Sequence, residues 1–264
     1  MSDHPAWSPD PRVAPAAARF GDDADRYDRA RPGYPETLLD LLAVRTGLGE
    51  GTAVLDLAAG TGKLTRQLVA RGADVVAVEP SPGMRDRLTA ALPGVRVEDG
   101  TAEDLPLADG AVDLVTVGQA FHWFDTRPAL AEIHRVLRPG GWLALLWNEP
   151  PPGGWAAELW DLRHELTGFT PASYPGDGWA GAVDADPGFG DRAVTRVTVE
   201  VATSAAAVLD DSASRSYVHV LDPDDRTRVL GRLADFLADH PATAGRDRLI
   251  VERPCVLHLV PRVG

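Results

Sequence analysis

Residues Val54 to Thr65 read Val-Leu-Asp-Leu-Ala-Ala-Gly-Thr-Gly-Lys-Leu-Thr. Apolar β-formers run into small residues, then into Gly60 and Gly62, and then into a helical pattern, which predicts a buried strand, a tight turn and a helix start. Glycine suits a turn whose backbone needs unusual dihedrals or must admit a ligand without a Cβ in the way. The helix behind the turn offers unpaired N–H groups to polar ligand atoms. The stretch therefore reads as a nucleotide-type turn, and the rest of the chain is arranged around it.

Upstream, Pro35 stands at the first position of a helix that carries Leu38, Leu41, Leu42 and Arg45 and stops at Gly47. Downstream, the first strand and its helix (Leu64, Leu68) are followed by a second strand, Val75-Val76-Ala77-Val78, ending at Glu79. A helix opened by Ser81 and Pro82 follows, with an apolar face of Met84, Leu88, Ala91 and Leu92. Val95–Glu98, Val112–Val117 and Trp142–Trp147 read as further strands, with a helix over 126–137 that Pro139-Gly140-Gly141 breaks. Strands alternating with helices at this spacing mean βαβ units and a doubly wound α/β sheet, mostly parallel.

After Asn148 the rhythm changes. Residues 149–190 hold Pro, Gly, Trp155, Trp160 and Trp179, with neither a clear strand nor one long helix, and read as an insertion covering a site. Val194–Val201 reads as a sixth strand, Pro223 opens a helix bearing Val229, Leu233, Phe236 and Leu237, and Ile250–Val260 is a last strand. The expected layout is a flexible tail over 1–19 and one domain over 20–264, with a core at about 36–148, the insertion at 149–190, and C-terminal strands and helices at 191–264.

Composition bounds the function. Of 264 residues 44% are hydrophobic and 25% charged, an ordinary globular balance, and the formal charge of −13 opposes polyanions, so nucleic acid is not the expected partner. Cys255 is the only cysteine and lies in an apolar run, which predicts a small buried thiol. No charged leader precedes an apolar segment and no apolar run approaches ~18 residues, so the expectation is a cytoplasmic protein without membrane contact.

Residue offsets separate three glycine turns. A P-loop needs glycine where Leu57 stands and Ser or Thr where Leu64 stands. A dinucleotide fingerprint is met at Gly60 and Gly62 but has Thr65 at its third glycine. A strand acid, Gly-x-Gly and a second acid ending the next strand are all supplied, by Asp56, Gly60, Gly62 and Glu79.

With Val-Ala-Val-Glu-Pro-Ser at 76–81, Thr-Ala-Glu-Asp-Leu-Pro-Leu at 101–107 and Arg-Val-Leu-Arg-Pro-Gly-Gly at 135–141 added to the glycine motif, the sequence resembles the class I S-adenosylmethionine-dependent methyltransferases from about Phe20 to Val260. Gly-Gln-Ala-Phe-His-Trp-Phe-Asp at 118–125, with Tyr27 and Arg31-Pro32-Gly33-Tyr34-Pro35, is similar to their small-molecule branch, the type 11 and trans-aconitate methyltransferase-like proteins. The resemblance implies a seven-stranded Rossmann-like sheet with its last strand antiparallel, S-adenosylmethionine as cofactor and a small-molecule acceptor.

It also implies a site. Glu79 would accept the ribose hydroxyls, with Pro80 beside it. Ala58, Gly60 and Gly62 would let the methionyl part pass close to backbone, and Asp56 would order the loop and the amino group. Met84 would lie against adenine or simply pack the core, and Thr101, Ala102 and Glu103 would border the base. Gln119 would touch the methionyl end, while Tyr27 and Arg31 would form a lid with Arg31 a partner for the cofactor carboxylate. Tyr34, His122 and Trp123 would face the acceptor. His122 reads either as a catalytic base or as a residue that shapes the pocket, and Trp123 either as a stacking surface or as core. The histidines lack ligand spacing, so no metal is expected. A nicotinamide oxidoreductase and a catalytically silent cofactor-binding protein are the other classes the turn admits, and the apolar, aromatic insertion leaves the methylated atom open.

Overall fold

The computed structural model describes residues 33–169 and 178–264. The expected tail, Tyr27 and Arg31 lie outside them.

Seven strands form one sheet: β1 (Ala53–Leu57), β2 (Asp74–Val78), β3 (Arg96–Glu98), β4 (Val112–Gly118), β5 (Leu137–Asn148), β6 (Ala193–Thr203) and β7 (Leu249–Pro261), ordered β3-β2-β1-β4-β5-β7-β6. Strands β1 to β5 pair in parallel, and β7 runs antiparallel to both β5 and β6. This is the doubly wound sheet that the strand and helix alternation implies, with the last strand reversed.

The central strands are hydrophobic on both faces because both are covered. Leu55, Leu57, Val115, Val117, Leu143 and Leu145 pack on one side with helix α4 (Thr126–Val136) and α6 (Gly178–Asp184). The alternate residues Val54, Leu114, Ala144 and Leu146 pack on the other with α1 (Glu36–Thr46) and α2 (Lys63–Val69). Helix α3 (Pro82–Ala91) covers β3. Cys255 is fully buried, as its apolar run predicts.

Three local expectations are corrected. In α1 the buried set is Leu38, Leu39 and Leu42, and Leu41 faces solvent, because the covered stripe is one position off the spacing read from sequence. Pro139-Gly140-Gly141 lies inside β5: Leu137 pairs with Val112 and Trp142 with Leu114, so the residues between are looped out as a bulge. A Cβ on Gly141 would stand 2.9 Å from the carbonyl oxygens of Arg138 and Asp113, so only glycine fits there. And 149–190 does contain one long helix, α5 (Gly154–Thr167), seated through Leu159, Leu162 and Leu166 on the helix Pro223–Asp239 and the start of β7.

Helices α7 (Ala205–Ala213), α8 (Ser216–His219) and α9 (Pro223–Asp239) connect β6 to β7. Ser204 caps α7 by accepting the Ala207 N–H at 3.2 Å. Among the described residues no helix is long and apolar enough to cross a membrane. The chain winds outward from β1 through β2 and β3, then returns to β4 and β5 on the other side. The carboxyl ends of β1 and β4 thus flank the crevice where such sheets bind ligands.

Candidate functional site

The loop after β1 is held from below by a buried carboxylate. Asp56, 1% exposed, accepts hydrogen bonds from Thr65 Oγ1 at 2.6 Å and Thr116 Oγ1 at 2.9 Å. Thr65 is the residue that spoils the dinucleotide fingerprint, and here its hydroxyl ties the first turn of α2 to the strand before the loop. Burial pushes the Asp56 carboxyl up to about 6 although both hydroxyls pull the other way.

An acid that binds its proton more tightly folded than unfolded lowers stability as pH rises from the ordinary value of 3.8 through the folded one, and no further above it. The stability of the wild type relative to Asp56→Asn is therefore expected to fall between roughly pH 4 and 7 and to level off at higher pH. Denaturant midpoints at constant ionic strength measure it, and a pH-independent difference would refute the assignment.

Glu79, 7% exposed, joins the loop to the end of β2. Its Oε2 accepts the Gly60 N–H at 2.9 Å and its Oε1 the Ser81 N–H at 2.9 Å, while Arg85 Nη1 donates to its carbonyl at 2.8 Å. Burial raises its carboxyl above the usual range, against the pull of those two amides. Gly60 and Gly62 both take left-handed backbone, at φ of 57° and 83°, for different reasons. A Cβ on Gly62 would stand 2.9 Å from Leu88 Cγ on α3, whereas a Cβ on Gly60 would meet nothing within 4 Å. Gly62 seats the helix against α3; Gly60 borders open space.

Two non-glycine residues among those described also have positive φ: Ala58 at 55° and Gln119 at 60°. They follow β1 and β4, adjacent strands, and both line the same cavity. Such conformations persist only where surrounding bonds enforce them, and they gather at functional sites. At Gln119 the N–H donates to the Leu146 carbonyl at 3.0 Å and Nε2 reaches the Asn148 carbonyl at 3.4 Å. Tyr34 adds its hydroxyl, donating to the same Leu146 carbonyl at 3.1 Å, close over Gly118.

The cavity has a volume of about 230 Å³. It runs from Tyr34, Asp56, Ala58, Gly60 and Gln119 past the ends of β5 and β7 to Trp160 and Arg163 on α5. The aromatic lining expected of the insertion is there in Trp155 and Trp160, but the far wall is also charged, with Arg163, Asp211, Arg215 and Arg253.

The other sequence-selected residues divide by position. Pro80 is exposed beside Glu79, Met84 is buried on α3, and Thr101, Ala102 and Glu103 follow β3; none of the five is among the described residues that line the cavity. Glu103 Oε1 accepts the Asp125 N–H at 2.9 Å, and Ala102 packs into the core. His122 and Trp123 lie in a single 3-10 turn, Phe121–Trp123, and are not among the described residues that line the cavity. His122 is 7% exposed, with Trp123 and Trp147 rings at 4.8 and 5.2 Å, and burial pushes its imidazole down to about 4. Sequence reasoning missed Thr65, Thr116 and the arginine wall. The signals were available: Trp160 and Arg163 at i,i+3 on one helix face, and Asp211 and Arg215 as an i,i+4 ion pair.

Known proteins resemble this chain. A family described as "Methyltransferase domain" matches residues 55–145. A protein named as an uncharacterized methyltransferase of Mycobacterium tuberculosis strain H37Rv is 42% identical over 240 residues, 87% of this chain and 90% of that one. A malonyl-[acyl-carrier protein] O-methyltransferase of Dechloromonas aromatica is 38% identical over 148 residues, 53% of this chain and 54% of its own length. The solved structure of a putative type II methyltransferase from Anaeromyxobacter dehalogenans shares the fold, with a TM-score of 0.65, 23% identity, and 88% of this chain and 97% of that one covered.

Proposed function

The chain belongs to the S-adenosylmethionine-dependent methyltransferases, and from that premise we propose that it methylates a small-molecule acceptor held in the cavity between the glycine loop and α5. The observation that carries the reading is the cavity itself: about 230 Å³, bounded at one end by the glycine loop and at the other by a tryptophan and arginine wall. A pocket of that size suits a metabolite better than a polymer, and the charge of −13 disfavours nucleic acid.

The residues fit the cofactor. Open space at Gly60 and the paired left-handed turns at Ala58 and Gln119 leave bare backbone for the methionyl part. Glu79 stands at the carboxyl end of β2, where such sheets bind ribose hydroxyls, and Met84, Ala102 and Glu103 stand beyond it for the base. When bound, S-adenosylmethionine would supply an electrophilic methyl group on a sulfonium, transferable to an acceptor nucleophile with the carbon–sulfur bonding pair left on sulfur. The chain's work is to hold the acceptor in line and keep water out. Asp56 holds the loop through Thr65 and Thr116, Gln119 fixes the floor, and α5 with α7 and Arg215 closes the acceptor side.

His122 we read as a packing residue behind the pocket, since it is not among the described residues that line the cavity. Its imidazole is neutral at pH 7, but its neighbours are two indoles. His122→Gln is expected to lower kcat by less than about tenfold and to leave the pH profile unchanged; a loss of about a hundredfold or more with an inflection removed would make it the base instead.

Incubating the protein with S-adenosylmethionine and a metabolite panel, and reading a mass gain of one methyl on a free metabolite, tests the reading. Transfer confined to an acyl-carrier-protein conjugate, the substrate named for the Dechloromonas relative, or to nucleic acid would overturn it.

A further inference from the structure

The end of the cavity farthest from the glycine loop carries three guanidinium groups: Arg163 on α5, Arg215 just after α7 and Arg253 on β7. Strand β7 lies three strand spacings from β1 in the order β1-β4-β5-β7, on the order of 14 Å away at ~4.8 Å per spacing. The wall is thus remote from the loop that receives the cofactor.

Arg163 is 4% exposed. Its Nη1 donates to Ser212 Oγ at 3.1 Å, its guanidinium lies 4.8 Å over the Trp160 ring, and its buried Nε has no hydrogen-bond partner among the described residues. Asp211 is 3.9 Å from Arg163, and that carboxylate is already engaged by Arg215, through Nη2 at 2.8 Å and Nε at 3.2 Å. Arg253 is half-buried beside the same Asp211 and Arg215 and forms no ion pair of its own among the described residues.

Two other acids border this end. Glu149 faces Arg196 at 3.4 Å, and Glu252 is exposed, strand alternation sending its side chain to the opposite face of β7 from that of Arg253. Three cations therefore lie around Asp211. A buried guanidinium with an unspent donor is costly alone, and its planar fork matches an oxyanion.

We propose that this wall recognises the acceptor, and that the acceptor carries an anionic oxygen group, carboxylate or phosphate, which Arg163 and Arg253 clamp while another part of the molecule faces the methyl group. The proposal rests on reading the cavity as a small-molecule acceptor site. Burial that disfavours the charged forms of both arginines adds to it, since an anion would relieve that cost.

The test is calorimetric titration of succinate, inorganic phosphate and uncharged succinamide into the full chain saturated with S-adenosylhomocysteine. Succinate, phosphate or both are expected to bind with a Kd at or below about 10 mM, and succinamide is not. Which anion binds separates a carboxylate from a phosphate acceptor. Arg253→Gln, a half-buried position, is expected to weaken anion binding about tenfold or more while S-adenosylhomocysteine affinity stays within about twofold.

The proposal falls if neither anion binds, if succinamide binds as well as succinate, or if Arg253→Gln leaves the anions unaffected. It falls too if that variant weakens S-adenosylhomocysteine as much as the anions, since the arginines would then serve the cofactor's carboxylate. Anion binding that depends on Arg253, found beside methyl transfer only to a carrier-protein conjugate, would support the wall while removing the small-molecule reading.

Discussion

Glu79→Gln is expected to weaken S-adenosylhomocysteine binding about a hundredfold while leaving the fold intact. The wild-type carboxylate accepts two backbone N–H groups, from Gly60 and Ser81. Glutamine keeps the length and one acceptor oxygen, but its amide nitrogen must then face one of those N–H groups, donor against donor. A hydrogen bond to a charged acceptor is worth about 1.5–3 kcal/mol, and on the cofactor placement proposed above the side chain would also lose its charge toward the ribose hydroxyls, so two such interactions weaken together. Since about 1.4 kcal/mol is tenfold, the product is on the order of a hundredfold. Calorimetry with the wild type and the variant measures it. An affinity within about threefold would mean that the acid at the end of β2 organises the loop without contacting the ligand.

Gly62→Ala is expected to act on the fold itself. The added methyl group meets Leu88 Cγ at 2.9 Å and forces a non-glycine residue to a φ of 83°. The left-handed backbone costs about 1–2 kcal/mol and overpacking against α3 about 1–3 kcal/mol. With roughly 2–4 °C lost per kcal/mol in a chain of this size, Tm should drop by about 5–15 °C. Gly60→Ala is the control: its Cβ meets nothing within 4 Å, so it should lose only the backbone cost, about 1–2 kcal/mol, and show its damage in ligand affinity. Equal loss of Tm in the two variants would show that the glycines do not differ in role.

The glycine-loop part of the candidate site was legible because it is local. Asp56, Gly60 and Gly62 lie on one strand and its turn, and Glu79 ends the neighbouring strand, so periodicity and offsets are enough to place them. Even there the sequence misjudged Thr65: as a failed glycine it weakened one motif, while its hydroxyl serves the strand acid nine residues back. The far wall of the cavity was not legible. Arg163, Asp211, Arg215 and Arg253 come from a helix, a second helix with its end, and a strand, and they meet only once the sheet has closed. Proline and glycine around α5 also masked a fourteen-residue helix, whose leucines read as scattered until their partners on α9 and β7 are known.

The reversed strand β7 has a consequence for how such a chain can diversify. Because it runs against its neighbours, its amino-terminal end reaches the rim where β1 and β4 finish, and it brings Arg253 there together with everything carried by the β6–β7 connection. The family match, by contrast, spans 55–145 and stops within β5. On the function proposed above, donor handling and acceptor choice occupy successive stretches of the chain, and replacing the later stretch by recombination would hand an unchanged methyl-donor half a new clientele.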